Sequence, residues 1–189
     1  MEKLTVKKIE EDNKKYNKTT RFDFELDDKK MYVDIYQDFS PKKIKTLIQD
    51  YLTDLEVIST ELEGDEMGTL GGKDFLYFYM ILHFTKMLTE KQKANLDIHD
   101  KLEIFDTLLT NGLFEEIIMY FPIDSVSEVN DALVFGMDEY ISKRKSELEN
   151  LTENDELGDL EQLVAPLLAI GEKVNTLEDQ ASNVTPIVK

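Results

Sequence analysis

Residues 21–58 read RFDFELDDKKMYVDIYQDFSPKKIKTLIQDYLTDLEVI, and one change of hydrophobic period inside that stretch decides the fold. Phe22, Phe24 and Leu26 alternate with Arg21, Asp23 and Glu25. Beyond Asp27-Asp28-Lys29-Lys30, Met31, Val33 and Ile35 alternate with Tyr32, Asp34 and Tyr36. Period two on both sides of a polar turn predicts an antiparallel β-hairpin over residues 20–36, apolar on one face and charged on the other. Two strands are marginal alone and need a helix to cover them. Ser40-Pro41 supplies its start, a capping hydroxyl followed by proline at the first helical position. Ile44, Leu47, Ile48, Tyr51, Leu52, Leu55 and Ile58 then recur every three or four residues, a continuous apolar stripe.

On the N-terminal side, Thr5 can cap a lysine-rich helix to about Asn17, with Val6, Ile9 and Tyr16 as its apolar members; it is predicted to be peripheral. On the C-terminal side, residues 59–73 (STELEGDEMGTLGGK) read as a loop. Asp74 opens FLYFYMILHFTKML, apolar on every side and so predicted at the centre of a bundle. Asp97 starts a helix with Ile98, Leu102, Phe105, Leu108 and Leu109 on one side, stopped at Asn111-Gly112. Leu113 to Phe121 resumes as a short helix ended by Pro122. Ser125 and Glu128 fit a capping box for a long helix from Val126 to about Leu151, with Val129, Leu133, Met137, Tyr140 and Ile141 inward. The expected fold is α+β and predominantly helical: a small N-terminal antiparallel hairpin packed on a five- to six-helix array. Residues 1–150 form one domain, and residues 151–189 a helical C-terminal appendage with a loose tail.

Composition narrows the function. The chain has 189 residues, 41% of them apolar, which suits one domain with a real core. It has no Cys, so disulfides, thiolate metal sites and cysteine nucleophiles are excluded. The net charge is −18 and unevenly spread: residues 1–50 carry 12 basic and 11 acidic side chains, residues 51–189 carry 10 and 29. That balance disfavours nucleic-acid binding, which is driven by cations on phosphate. The most apolar run, Phe75 to Leu88, is shorter than the roughly 20 residues of a membrane span. The N-terminus lacks a secretory apolar region, so the chain is expected in the cytoplasm, off the membrane.

Chemistry finds little purchase. Gly68-Thr69-Leu70-Gly71-Gly72-Lys73-Asp74 resembles a phosphate loop, but Met67 replaces its first glycine and Asp74 the magnesium-binding hydroxyl. His83 lies within the apolar helix, where an interhelical hydrogen bond is expected. His99 and Glu103 share a helix face beside Asp97 and Asp100, yet no third metal ligand is identifiable. Glu153-Asn154-Asp155-Glu156 and Asp159 lack the order of a calcium loop. Phe75, Tyr77, Phe78, Tyr79 and Phe84 sit in acidic surroundings that argue against base stacking. No carboxylate pair shows the opposed environments that acid–base catalysis needs. The expectation is a protein that is not an enzyme and carries no cofactor or metal.

One feature does suggest binding. Leu157, Leu160, Leu163, Val164, Leu167, Leu168 and Val174 recur at helical spacing around Pro166. They could fold back on the core, dimerise, or capture a partner's amphipathic helix. The first six are the candidate partner-binding residues.

Three segments carry a family resemblance: MYVDIYQDFSPKKIKTLIQDYL (31–52), DFLYFYMILHFTKM (74–87) and LEIFDTLLTNGLFEEIIMYFP (102–122), with Asp106 to Ile118 the most specific. With the charged N-terminal helix, they make residues 1–150 similar to the tail assembly chaperones of siphophages that infect Gram-positive bacteria. The resemblance implies a non-catalytic protein that coats a long helical tape measure protein in the host cytoplasm, keeps it soluble and helps tail tube subunits polymerise around it. It also implies a frameshift-extended form that would differ after Leu151. Two rivals are an acidic inhibitor that mimics nucleic acid and a structural tail or neck subunit. For mimicry, the helix after Val126 carries Glu128, Asp131, Asp138, Glu139, Glu147 and Glu149, but Lys143-Arg144-Lys145 interrupts the row.

Overall fold

A computed structural model describes residue 3 and residues 5–26, 28–61 and 72–152. The chain is α+β and mostly helical, in the order α1 (Val6–Asn13), a 3-10 turn (Lys14–Asn17), β1 (Thr19–Leu26), β2 (Lys29–Tyr36), α2 (Pro41–Glu61), α3 (Gly72–Phe84), α4 (Glu90–Lys93), α5 (Ile98–Thr110), α6 (Leu113–Met119) and α7 (Ile123–Thr152). Helix α1 is peripheral, as its lysines predict: it buries none of its residues, and Thr5 caps it by accepting from the Lys8 amide.

The hairpin is antiparallel, with Phe22 opposite Val33 and Phe24 opposite Met31. Its turn is tighter than the four polar residues suggest. Lys29 and Lys30 already pair with Leu26 and Glu25, so only Asp27 and Asp28 lie between the strands. Asp28 adopts φ +60, a conformation that Asp tolerates better than most side chains. The apolar face is buried at the end away from the turn, through Phe22, Val33 and Ile35, whereas Met31 is exposed. On the other face the Arg21 guanidinium lies 3.8 Å from the centroid of the Tyr32 ring. Ile35 also bridges to Thr85, and the Lys86 amide donates to Asp34 O, which fastens β2 to the end of α3.

Helix α2 begins as its sequence predicts: the Ser40 hydroxyl accepts from the Lys43 amide, and Pro41 opens the first turn. The helix continues to Glu61 and α3 starts at Gly72, so both helices extend into the stretch expected as loop. Helix α3 is the central rod. Phe75, Phe78, Met80, Ile81 and Phe84 are wholly buried, which an all-round apolar helix requires. Phe75, Phe78, Tyr79, Phe105 and Phe114 form a chain of ring contacts at centroid distances of 5.1–6.0 Å, mostly edge-to-face. Such pairs add to the burial of their large apolar area.

Helix α5 carries a capping box in which Asp97 accepts from the Asp100 amide and Asp100 accepts from the Asp97 amide. Gly112 at φ +69 turns the chain into α6. Leu109, expected inward, is exposed, because the chain turns away there and leaves that side of α5 uncovered. Helix α7 holds the second correction. It begins at Ile123, with the Pro122 carbonyl accepting from the Val126 amide, so Ser125 lies inside the first turn and does not cap it. The buried Ser125 hydroxyl instead accepts from the Phe39 amide at 3.3 Å, 86 residues away.

Helices α2 and α7 run side by side in the same direction. Phe39 meets Ser125, Ile48 meets Gly136, and Glu56 meets Tyr140. Gly136 sets their separation: a Cβ there would stand 2.7 Å from Ile48 Cγ2.

Candidate functional site

The α2 stripe is consumed by the core. Ile44, Leu47, Ile48, Tyr51, Leu52 and Ile58 are all buried and Leu55 is half-buried, so most of that stripe is taken up by the core. Its edge nevertheless forms one wall of an open groove of about 940 Å³ between α2 and α7. The α2 wall runs from Pro41 to Glu56, and the α7 wall from Glu128 to Lys143. Ile44, Ile48, Leu52, Ala132 and Gly136 make an apolar floor, while Lys45, Glu56, Glu128, Glu139 and Lys143 supply charge. At 1.5 Å per residue the groove is about 22 Å long, some four helical turns. Phe135 stands on its rim, 71% exposed. A phenylalanine so open on a rigid helix beside an apolar floor is the kind of surface that anchors a partner.

The groove is held from below and from one end. Gly136 permits the close approach that forms its floor. Toward the C-terminal end the Tyr140 hydroxyl donates to Glu56 Oε2 at 2.6 Å. Sequence reasoning missed this site. The signal that could have found it is the lone Gly136 inside a long helical pattern, which marks a close helix contact.

A second, polar recess of about 460 Å³ lies where α2 faces α3, α4 and α5, lined among others by Lys43, Asp50, Tyr79, His83, Glu90, Lys93 and Lys101. His83 pairs with Asp50 Oδ2 at 3.2 Å, the interhelical contact expected for it. The Tyr79 hydroxyl and the Lys101 ammonium both donate to Asp54 Oδ2, which ties α2 to α3 and α5. Burial raises the Tyr79 pKa well above the usual phenol value, and the hydrogen bond to Asp54 and the charges of Asp54 and Asp50 add to the rise. Burial alone raises that of Tyr51. Burial pushes the Glu90 carboxyl up, but the hydrogen bond and charge of Lys93, with Lys43 and His83 beyond it, outweigh that and leave it below its ordinary value. With Tyr79 holding its proton and Lys101 and Asp54 neutralising one another, the recess works as a clamp between helices.

The other sequence candidates scatter. His99 and Glu103 are exposed on α5, and their neighbours Asp97 and Asp100 are occupied in the capping box. Among the described residues, no group of three or more His, Asp or Glu could hold a metal ion. Phe75, Phe78, Tyr79 and Phe84 are core residues, and Tyr77 is half-buried. Of the phosphate-loop-like stretch, Gly72, Lys73 and Asp74 open α3, with the Lys73 ammonium 5.5 Å from the Tyr77 ring, and the remainder lies outside the described residues. On α7, Glu128 and Glu139 line the groove while Asp131 and Asp138 are exposed. No helix among the described residues is long and apolar enough to cross a membrane. Leu157, Leu160, Leu163, Val164, Leu167 and Leu168 lie outside the described residues.

A family model described as YomO matches residues 6–178, nearly the whole chain. The chain belongs to the YomO family. The YomO match takes in the hairpin, every helix from α1 to α7 and the leucine series beyond Thr152. Comparison with curated proteins and with solved structures gives no match.

Proposed function

We propose that this YomO-family protein is a non-catalytic phage tail assembly chaperone, which holds an apolar helix of a long tape measure-type client in the α2–α7 groove and keeps it soluble in the host cytoplasm. The observation that carries this reading is the groove itself: four turns long, apolar on its floor, charged at its edges, with Phe135 exposed on the rim. An amphipathic helix binds such a groove by laying anchors at i, i+3, i+4 and i+7 into it. The rest of the molecule suits a holdase, since a net charge of −18 keeps a loaded complex dispersed by self-repulsion. The resemblance of residues 1–150 to siphophage tail chaperones supports the same assignment, and the YomO match gives the phage connection its coarser support.

The test is co-expression with a long helical tape measure-type protein, followed by sedimentation. The full chain should keep the client in the supernatant, and Phe135→Asp should return most of it to the pellet. Phe135 is exposed, so the variant should melt with the parent. A client recovered equally with parent and variant removes the groove from the mechanism. A client pelleted with both removes the chaperone reading. Competition with duplex DNA for a nuclease, the mark of a nucleic-acid mimic, should be absent.

A further inference from the structure

We infer that the outer edge of β1 is a homodimer interface, where two copies of this chain pair antiparallel about a twofold axis at Phe22 and join their hairpins into one four-stranded sheet. The inference is independent of what fills the α2–α7 groove.

The edge is open, and its hydrogen-bonding alternation is fixed. The outer side of β2 is already engaged, through the Ile35–Thr85 bridge and the Lys86 amide on Asp34 O. Among the described residues, no backbone group pairs with the outer side of β1. A helix laid along that edge would bury its apolar side, yet α1 leaves Val6 and Ile9 exposed. The Gln37 amide donates to Lys18 O, so Lys18 and Gln37 form a narrow, hydrogen-bonded pair. Narrow and wide pairs alternate along an antiparallel ladder. Thr20, Phe22 and Phe24 therefore turn their backbone groups toward β2, and Thr19, Arg21, Asp23 and Glu25 turn theirs outward. Such a row of outward amides and carbonyls is a template for adding a strand.

Charge makes a second copy the occupant and chooses the register. A twofold axis through the sheet keeps the apolar face of both copies on one side. Centred on Phe22, it sets Arg21 opposite Asp23 of the second copy, Asp23 opposite its Arg21, and Thr19 opposite its Glu25 at either end. These four pairs are all outward-facing, and each narrow pair exchanges two hydrogen bonds, about eight along an edge of about 24 Å. On the apolar face Phe22 meets Phe22, and Phe24 meets Thr20. Centring on Arg21 or Asp23 sets that residue against itself, and centring on Phe24 sets Asp23 against Glu25 twice. Like charges directly opposite one another destabilise a strand pair. Of the registers that pair five or more residues of β1, only the one at Phe22 escapes them.

The surroundings suit a contact. The Tyr120 ring stands 4.2 Å from that of Phe22, and Met119, Tyr120 and Ile123 are all exposed at that corner. Phe24 is half-buried, so the apolar side of β1 runs on into uncovered surface, the kind that marks a protein contact. The acidic excess of the chain lies beyond residue 50, where 29 acidic side chains stand against 10 basic ones; residues 1–50 carry 11 and 12. An interface on β1 thus draws on the near-neutral part of a chain whose net charge is −18.

Analytical ultracentrifugation of the full-length chain should show a concentration-dependent equilibrium between monomer and dimer. Arg21→Asp sets Asp against Asp at both central pairs, and Asp23→Arg sets Arg against Arg. Turning two attractive pairs into two repulsive ones should weaken dimerisation about tenfold or more. Mixed in equal amounts, the two variants restore both unlike pairs and should associate as the parent does. The double variant, Arg21→Asp with Asp23→Arg, should do so by itself. Arg21 and Asp23 are exposed, and recovery of the dimer in the mixture separates a lost contact from a lost fold. A parent that stays monomeric at every concentration overturns the inference. So do single variants that dimerise like the parent, or a mixture and double variant that both stay monomeric. None of these measurements involves a client, so the inference and the chaperone reading can fail separately.

Discussion

The backbone amide of Phe39 and the hydroxyl of Ser125 form one buried hydrogen bond that joins the entrance of α2 to the first turn of α7. Phe39 is the hub of that corner: its ring stacks on Phe84 at 3.6 Å and meets Phe121 edge-on at 5.4 Å. Replacing Ser125 by Ala leaves the buried amide without its partner. The expected cost is about 1–3 kcal/mol, the penalty of an unsatisfied buried donor. Urea denaturation checks it, with a lower midpoint and an unchanged slope.

Gly136 makes the second join between these helices, and it should tolerate no side chain. Alanine would gain about 1 kcal/mol of helix propensity. Against that stands a methyl 2.7 Å from Ile48 Cγ2, on a branch that cannot swing clear. Overpacking typically costs about 1–3 kcal/mol, so Gly136→Ala should be net destabilising and should be relieved by Ile48→Ala. A double-mutant cycle measures the coupling, which should favour the pair over the sum of the singles.

Alkaline pH should unfold the protein through its buried phenols. Tyr79 and Tyr51 have native pKa values raised above the ordinary phenol value of 10.0. Above that pH the unfolded chain loses protons that the native state keeps, so stability falls as pH rises beyond about 10. Tyr79→Phe should flatten that fall, at the cost of one donor to Asp54. Thermal melts of parent and variant between neutral pH and the alkaline range measure the difference in slope.

At the start of α5, Asp97→Ala removes the acceptor for the Asp100 amide and should cost about 0.5–2 kcal/mol, as helix N-caps do. Because Asp97 is exposed, the loss should appear in chemical denaturation without any change in core packing seen by near-ultraviolet dichroism.

Local grammar made most of the fold legible. The hairpin and α2 were readable because a shift from period two to a three-to-four spacing is a property of neighbouring residues. Thr5, Ser40 and Asp97 cap where their chemistry predicts. The short helix α4 was not foreseen, although Thr89 and Gln92 form a reciprocal capping box that marks it. Ser125 and Glu128 satisfy the same pattern, yet the Pro122 carbonyl opens α7 a turn earlier and frees the hydroxyl for Phe39. That choice depends on a residue 86 positions away, which no window of local sequence contains. The groove was hidden for the same reason. Its walls come from two helices far apart in the chain, and Phe135 reads as an ordinary apolar residue until its neighbours are known.

The parallel pairing of α2 and α7 also sets an order of events at the ribosome. Ile48 is made 88 residues before Gly136, a delay of roughly 4–18 s at the usual 5–20 residues per second. Throughout that interval the nascent chain holds Ile44, Ile48 and Leu52 without the helix that will lie against them. The newborn protein thus has its own interval of stickiness to survive, closed only when translation reaches the middle of α7.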